Sequence, residues 1–125
     1  MRTMYERLGE TDGIRALVDD FYDRMDRLPD AAVIRAMHPP DLSESRNKLH
    51  LFLCQWTGGP ATYSEQRGHP RMRARHLPFA IDDRARDAWL MCMGQALEAH
   101  VADALVRDQL FGAMARMADH MRNQG

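Results

Sequence analysis

One segment of the chain combines residue types that could do chemistry. The stretch RGHPRMRARHLPFAIDD, residues 67–83, carries two histidines, two prolines and several arginines. Pro70 and Pro78 lack an amide hydrogen and restrict the residue before them, so this stretch cannot form one long helix. It leaves room for a short helical piece, RMRARH, which ends at His76. A neutral imidazole there could bind a metal, and the guanidinium groups before it pair well with carboxylates.

The metal chemistry open to a lone histidine is narrow. The sequence contains no H-E-x-x-H, no Cys/His zinc spacing, no EF-hand loop and no C-x-x-C-H for covalent c-type haem. It also lacks a glycine-rich phosphate loop and a nucleophile elbow. Haem iron needs only one strong axial ligand from the protein, so His76 could hold noncovalent haem while the arginines face its propionates. A histidine in a charged loop is more often a solvated side chain, and the residues alone leave both interpretations open.

Three other histidines have structural interpretations. His50 lies off the apolar stripe of its segment and is predicted at the surface. His100 and His120 lie near predicted helix C-termini, where an imidazole often interacts with the helix dipole. We therefore expect none of the three to bind a ligand.

Composition favours a cytoplasmic protein with one domain over residues 1–125. The formal net charge is −1, so no bulk electrostatic argument supports binding to nucleic acid or a membrane. The first ten residues have no apolar signal-peptide core, and no run approaches the length of a membrane span. Cys54 and Cys92 lie in apolar segments and are predicted to be buried free thiols in a reducing compartment.

The elements that would position the histidine segment are helical. Apolar residues recur at the spacing of one helix face, and no convincing strand alternation is present. We predict an all-α fold of about five or six helices of modest length. The predicted helical stretches are 13–25, 30–37, 41–56, 71–76, 82–101 and 104–121. Four of them, 13–25, 41–56, 82–101 and 104–121, have an apolar face that we expect to be buried. In that order, the faces are formed by Ile14, Leu17, Val18, Phe21, Tyr22 and Met25; Leu49, Phe52, Leu53 and Trp56; Trp89, Cys92, Met93, Ala96 and Leu97; and Val106, Leu110, Phe111, Met114, Met117 and Met121.

Capping and breaking residues predict the helix ends. Ser43 and Asp82 stand where an N-cap side chain would begin a helix. Leu28-Pro29 and Pro39-Pro40 end the first two helical stretches. The glycine pair and proline at 58–60 end the third, and a long polar loop is expected between them and the short piece at His76.

Four segments together resemble the group II truncated haemoglobins. They are FYDRM, MHPPDL, FLCQWTGGPATYSEQRGHPRMRARHLPFAI and RDAWLMCM, and they keep the order and spacing of that family over nearly the whole chain. The most specific block is the GGP…Y…GHPR-R-RH-PF pattern, and RDAWL-CM is a second, independent signature. The resemblance implies a two-over-two helical sandwich around noncovalent b-type haem.

On the proximal side the resemblance makes His76 the iron ligand. Its Nε2 would bind iron while Nδ1–H is held by a backbone carbonyl. Arg75 and Tyr63 match positions that bind propionates, and Lys48 is placed on the opposite helix to do the same. Phe79 matches an apolar residue beside the haem. The remaining apolar wall is expected from Leu49, Phe52, Leu53, Met93 and Met114.

On the distal side the resemblance gives Tyr22 the role of main hydrogen-bond donor to a bound ligand. From the residues alone it would be a core tyrosine with a satisfied hydroxyl. Trp89 matches a tryptophan beside the ligand, and its indole N–H can only donate. His38, at a corner after the second helical piece, adds a third possible donor. Ser45 occupies the position of the distal histidine of ordinary globins and is small enough to leave a short entry route.

These residues imply tight oxygen binding. Donors in a low-dielectric pocket stabilise the partial negative charge on bound oxygen, and two net hydrogen bonds slow its release by roughly one to two orders of magnitude. We expect O2, CO, NO or peroxide to bind at the iron. The expected function is redox chemistry, either peroxidase-like or NO-consuming, rather than bulk oxygen transport. The electrons would come from an unidentified reductase. One alternative is a ligand sensor or redox partner that acts through protein contacts. Another is a helical domain without a cofactor.

Overall fold

The computed structural model describes residues 2–124, which form eight α-helices and one 3-10 turn and contain no strand. The all-α prediction is confirmed. In chain order the elements are α1 Met4–Arg7, α2 Glu10–Arg27, the 3-10 turn Pro29–Ala31, α3 Ala32–Arg35, α4 Ser43–Trp56, α5 Thr62–Arg67, α6 Met72–His76, α7 Asp83–His100 and α8 Ala104–His120.

Four helices form two packed pairs. α2 packs against α4 and α7, and α7 packs against α8. The pair α2/α4 therefore lies over the pair α7/α8, which is the predicted two-over-two arrangement. The largest side chains that are almost fully buried in the core are Phe21, Ile14, Leu17, Met25, Leu53, Met93, Leu97 and Met114.

The helices that the sequence predicts best are those with a continuous apolar face. All six residues of the predicted face of α2 are buried. This helix ends at Leu28, whose backbone turns to the extended region before Pro29, as a residue before proline prefers. The predicted N-cap of α7 is confirmed, because Asp82 Oδ1 accepts a hydrogen bond from the Ala85 amide at 2.9 Å.

Two details of α4 differ from prediction. Ser43 is not the N-cap: Leu42 holds that position without a side-chain hydrogen bond, and Asp41 Oδ1 instead accepts from the Ser43 amide at 2.9 Å. Trp56 was expected in the buried stripe but is 37% exposed. Its ring stacks on Phe52 with 6.1 Å between centroids, so one face of the indole packs on the protein while the side chain reaches the surface.

Two short helices, α1 and α5, were missed because a single turn shows no apolar periodicity. α1 is four residues long and begins with a capping box between Thr3 and Glu6, a sequence signal that could have revealed it. α5 lies where a continuous polar loop was expected. On the predicted buried faces of α7 and α8, some large side chains are only half-buried: Trp89, Phe111, Met117 and Met121.

The two cysteines are buried free thiols, as predicted. Burial raises the pKa of both thiols. Within the described part of the chain, no helix combines the length and the apolar character needed to cross a bilayer.

Candidate functional site

The short helix predicted at 71–76 is present, and His76 is its last residue. α6 spans Met72–His76 and is entered through Arg71, whose backbone is left-handed with φ of 46°. The Nδ1 atom of His76 lies 2.6 Å from the Met72 carbonyl oxygen. A carbonyl oxygen can only accept, so Nδ1 carries the proton and Nε2 of the neutral ring keeps its lone pair. The predicted hydrogen bond from Nδ1–H to a backbone carbonyl is therefore present.

The arginines around His76 fasten α6 to its surroundings. Arg75 donates from Nε to the Pro70 carbonyl at 2.7 Å and from Nη2 to the Arg67 carbonyl at 3.0 Å. Arg73 donates from Nη1 to the carbonyls of His120 and Arg122, at 3.0 and 2.9 Å. Arg75 therefore connects α6 to the end of α5 and the loop that follows α5, and Arg73 connects it to the end of α8.

The loop after His76 is held by a residue near the C-terminus. Asn123 donates from Nδ2 to the Phe79 carbonyl at 2.8 Å and to the His76 carbonyl at 3.3 Å. Its Oδ1 accepts from the Ile81 amide at 2.9 Å, and its own amide donates to the Ile81 carbonyl at 2.9 Å. These bonds determine the path of a segment that has no regular secondary structure of its own.

A polar cluster lies along the surface between α4 and α5. Lys48 Nζ and Arg67 Nη1 lie 3.5 and 3.7 Å from the same Glu44 Oε1. The Nε of Arg67 is buried and has no hydrogen-bond partner among residues 2–124. Tyr63, which is 4% exposed, packs edge-on against Phe52 with 5.9 Å between ring centroids. The Arg75 guanidinium lies over the Tyr63 ring, 5.8 Å from its centroid.

Aromatic residues predicted for the distal side converge around Phe21. Tyr22 is 6% exposed and meets Phe21 edge-on at 4.9 Å between centroids. Trp89 packs on Phe21 from α7 at 5.1 Å, with the ring planes inclined by 58°. His38 meets the edge of Tyr22 at 5.8 Å. The three predicted donors thus belong to one connected aromatic group.

His38 has the same local hydrogen bond as His76. Its Nδ1 lies 2.8 Å from the Ile34 carbonyl, so Nδ1 is protonated and Nε2 of the neutral ring is an acceptor. Partial burial lowers the pKa of His38, the bond to the Ile34 carbonyl partly offsets this, and the positive charge of Arg35 lowers it further. The neutral ring therefore offers a lone pair, whereas the predicted donor role requires a second proton.

Tyr22 keeps its proton. Burial raises the pKa of its phenol above the ordinary value, and the positive charge of Arg46 only partly offsets that effect. The Arg46 guanidinium lies over the Tyr22 ring, 5.8 Å from its centroid. Ser45, the neighbour of Arg46 on α4, is half-buried.

The apolar residues predicted to line the site differ in burial. Phe52, Leu53, Met93 and Met114 are buried, and Leu49 is partly buried against the core. Phe79 is 39% exposed, and its neighbour Leu77 is 57% exposed. Exposed apolar side chains of this size beside His76 leave a surface that a flat apolar group could cover.

Sequence reasoning did not single out Arg46, Arg67 and Asn123, which contact predicted site residues. Arg46 could have been noticed because α2 carries Asp19 and Asp23 one helical turn apart, a spacing that offers two carboxylates to one arginine. Arg67 lies next to Gly68, and Asn123 lies near the end of the chain. No local pattern at either position predicts its contacts.

Comparison with known proteins agrees with this fold and arrangement. The sequence model of the bacterial-like globin family matches residues 3–123. The group 2 truncated hemoglobin YjbI of Bacillus subtilis (strain 168) is 42% identical over 120 residues, which cover 96% of this chain and 88% of that protein.

Two solved structures superpose on almost the whole chain. A cold-adapted truncated hemoglobin from the Antarctic marine bacterium Pseudoalteromonas haloplanktis TAC125 has a TM-score of 0.97 at 39% identity, covering 99% of this chain and 100% of that one. A group II 2-on-2 hemoglobin from Agrobacterium tumefaciens has a TM-score of 0.97 at 41% identity, covering 100% of this chain and 97% of that one. With the family match and the identity over nearly its full length, this chain belongs to the group II truncated haemoglobins of the bacterial-like globin family.

Proposed function

We propose that this chain binds noncovalent b-type haem through His76 and holds O2, and related small ligands, with high affinity and slow release. The observation that carries the proposal is the state of His76: its Nδ1–H is bonded to the Met72 carbonyl, so the Nε2 lone pair is free for iron. The family supports the same reading, because globins bind haem.

The charged cluster beside α4 fits the carboxylates of haem. Arg67 and Lys48 share a single carboxylate, that of Glu44, so local positive charge remains. The buried, unpaired Nε of Arg67 adds to this surplus of donors. A propionate would supply the missing acceptor. In this proposal Tyr63, Lys48 and Arg75 remain propionate contacts. The Nε and Nη2 atoms of Arg75 already donate to backbone carbonyls, so its other N–H groups would contact the propionate.

The apolar surface next to His76 fits the porphyrin ring. Phe79 and Leu77 follow His76 in the chain and are exposed. A flat apolar group beside His76 would cover surface that otherwise contacts water.

Bound haem would supply the iron at which O2, CO, NO or peroxide binds. Tyr22 and Trp89 would donate hydrogen bonds to the outer atom of such a ligand, in a pocket from which bulk water is largely excluded. Neutral His38 would accept, either from the Tyr22 hydroxyl or from a protonated ligand. Ser45 would leave a short path for entry.

The expected consequence is redox use rather than oxygen delivery. Two donors to bound oxygen slow its release by roughly one to two orders of magnitude relative to a pocket without donors. A protein that releases oxygen this slowly is suited to chemistry on O2, NO or peroxide with electrons from a reductase. Peroxidase-like and NO-consuming activity are the two reaction types we propose, and turnover of each with a reductant distinguishes them from a sensing role.

Oxygen dissociation in a double-mutant cycle tests the proposal. Trp89→Phe should raise the dissociation rate about tenfold or more, because a rigid N–H donor is lost. Tyr22→Phe should have a smaller effect, since Trp89 remains. The two rings pack on the same Phe21, so their effects should not add, with a coupling energy of roughly 1 kcal/mol.

Stopped-flow displacement of oxygen by carbon monoxide measures the rates for all four members of the cycle. Trp56→Phe is a matched control, because this tryptophan lies at the surface outside the aromatic group. Strict additivity, or a wild-type rate as fast as that of the double variant, would contradict shared hydrogen bonding by Tyr22 and Trp89.

A further inference from the structure

Arg46 connects two helices beside the distal residues. It belongs to α4, yet the hydrogen-bond acceptors of its side chain among residues 2–124 all belong to α2. Its Nη1 donates to the Asp19 carbonyl at 3.0 Å and to Asp19 Oδ1 at 3.2 Å, and its Nη2 donates to Asp23 Oδ1 at 2.7 Å. The Arg46 side chain is half-buried, whereas the side chains of Asp19 and Asp23 are exposed, so water still screens these ion pairs and their geometry matters more than their strength.

The same guanidinium lies over the ring of Tyr22. Its Cζ is 5.8 Å from the ring centroid, within the range of a cation–π interaction. Asp19 and Asp23 lie on either side of Tyr22 in the sequence of α2, so Arg46 is anchored to the very turn that carries the tyrosine. Phe21 and His38 contact the ring edge-on, and Arg46 adds a contact from the opposing helix.

We propose that Arg46 is a positioning residue for ligand binding, which fixes the ring of Tyr22 and so the direction in which its hydroxyl donates. The inference rests on the proposed function, because Tyr22 must face a bound ligand for its direction to matter. Two effects act in the same sense. The anchored guanidinium restricts the movement of the ring, and its positive charge strengthens the phenol as a donor. Without Arg46 the hydroxyl should donate more weakly and less directionally.

A purely structural role for the Arg46 ion pairs gives a different expectation. If they only hold α4 on α2, Arg46→Met should lower stability without changing how Tyr22 donates. Arg15 controls for the loss of a positive charge next to Asp19, because it pairs with the same Asp19 at 3.3 Å but from within α2 and without contact to Tyr22. Asp23→Asn weakens the same anchoring by a second route, because it removes the carboxylate charge from the shortest contact of Arg46 while leaving the cation in place.

The C–O stretching frequency of the carbon monoxide complex reports the donor directly, since a hydrogen bond to the ligand oxygen lowers that frequency. We expect Arg46→Met to raise it by a large part of the rise that Tyr22→Phe produces. Asp23→Asn should raise it less, Arg46→Lys should fall between wild type and Arg46→Met, and Arg15→Met should leave it unchanged. In the Tyr22→Phe background, Arg46→Met should add no further shift.

Three results would overturn the inference. One is an unchanged frequency in Arg46→Met with normal haem content. Another is an equal shift in Arg15→Met. The third is a full additional shift in the Tyr22→Phe background, which would mean that Arg46 acts on the ligand without the tyrosine. A wild-type protein that takes up no haem would instead remove the proposed function itself, and the inference with it.

Discussion

At the residue scale, two histidines acquire their chemical character from the backbone just before them: His76 ends α6, and His38 lies just after α3. His76 and His38 each donate Nδ1–H to the carbonyl four residues earlier, which leaves Nε2 as the exposed lone pair in both. The sequence allowed this to be predicted for His76, because a ligand histidine needs such a partner. For His38 the prediction was a hydrogen-bond donor to the ligand. The Ile34 carbonyl accepts the single ring proton of neutral His38, and this contact becomes visible only when the turn is built.

The partly buried, neutral His38 should affect stability at acidic pH. Its pKa is lowered in the folded protein, mainly by burial, whereas in the unfolded chain it returns to the ordinary value of 6.5. Below pH 6.5 the unfolded state therefore binds more protons, and the free energy of unfolding decreases as the pH falls. His38→Phe should flatten this part of the profile.

Urea unfolding at several pH values, followed by circular dichroism, measures the slope. His120→Gln is the control, because His120 is exposed at the end of α8. A profile for His38→Phe that stays parallel to that of the wild type would show that His38 is not responsible for the loss of stability in acid.

At the element scale, α6 is the part of the site that sequence patterns describe least completely. The flanking prolines predict its length to within one residue, because Arg71 is left-handed and precedes the helix, but five residues are too few for a helix to be stable by itself. Arg75 was expected at the propionates because it matches a propionate-binding position of the family, yet two of its donors bind the carbonyls of Pro70 and Arg67. These residues lie in the loop before α6 and at the end of α5, and no local signal in the sequence reveals such a contact.

Asn123→Ala should loosen the loop that follows His76. The variant removes hydrogen bonds to Phe79, Ile81 and His76, and each net bond contributes on the order of 1 kcal/mol. We expect a decrease of about 1–2 kcal/mol in the free energy of unfolding and faster transfer of haem to an apo-globin acceptor. Asn47→Ala, on the exposed face of α4, is the control. Equal transfer rates for the two variants would show that the bonds of Asn123 do not hold the proximal loop.

At the scale of the whole molecule, the packing of the four long helices follows from their apolar faces. The face of α2 was predicted residue by residue because six apolar positions recur at helical spacing. The two-over-two arrangement came from the family resemblance, and the structure pairs α2 with α4 and α7 with α8, since periodicity tells which face is buried but not against which partner. The contacts of Arg46 and Asn123 depend on that pairing, so they lay beyond what local patterns could predict.

The central claim is that His76 binds the haem iron through Nε2, and the absorption spectrum of His76→Gly tests it most directly. The glycine removes the imidazole and leaves a space into which free imidazole can diffuse. We predict that the purified variant loses haem on dilution, and that added imidazole restores both haem binding and the wild-type ferrous spectrum. Full haem content with an unchanged ferrous spectrum in the absence of imidazole would contradict the claim, because another residue would then hold the iron.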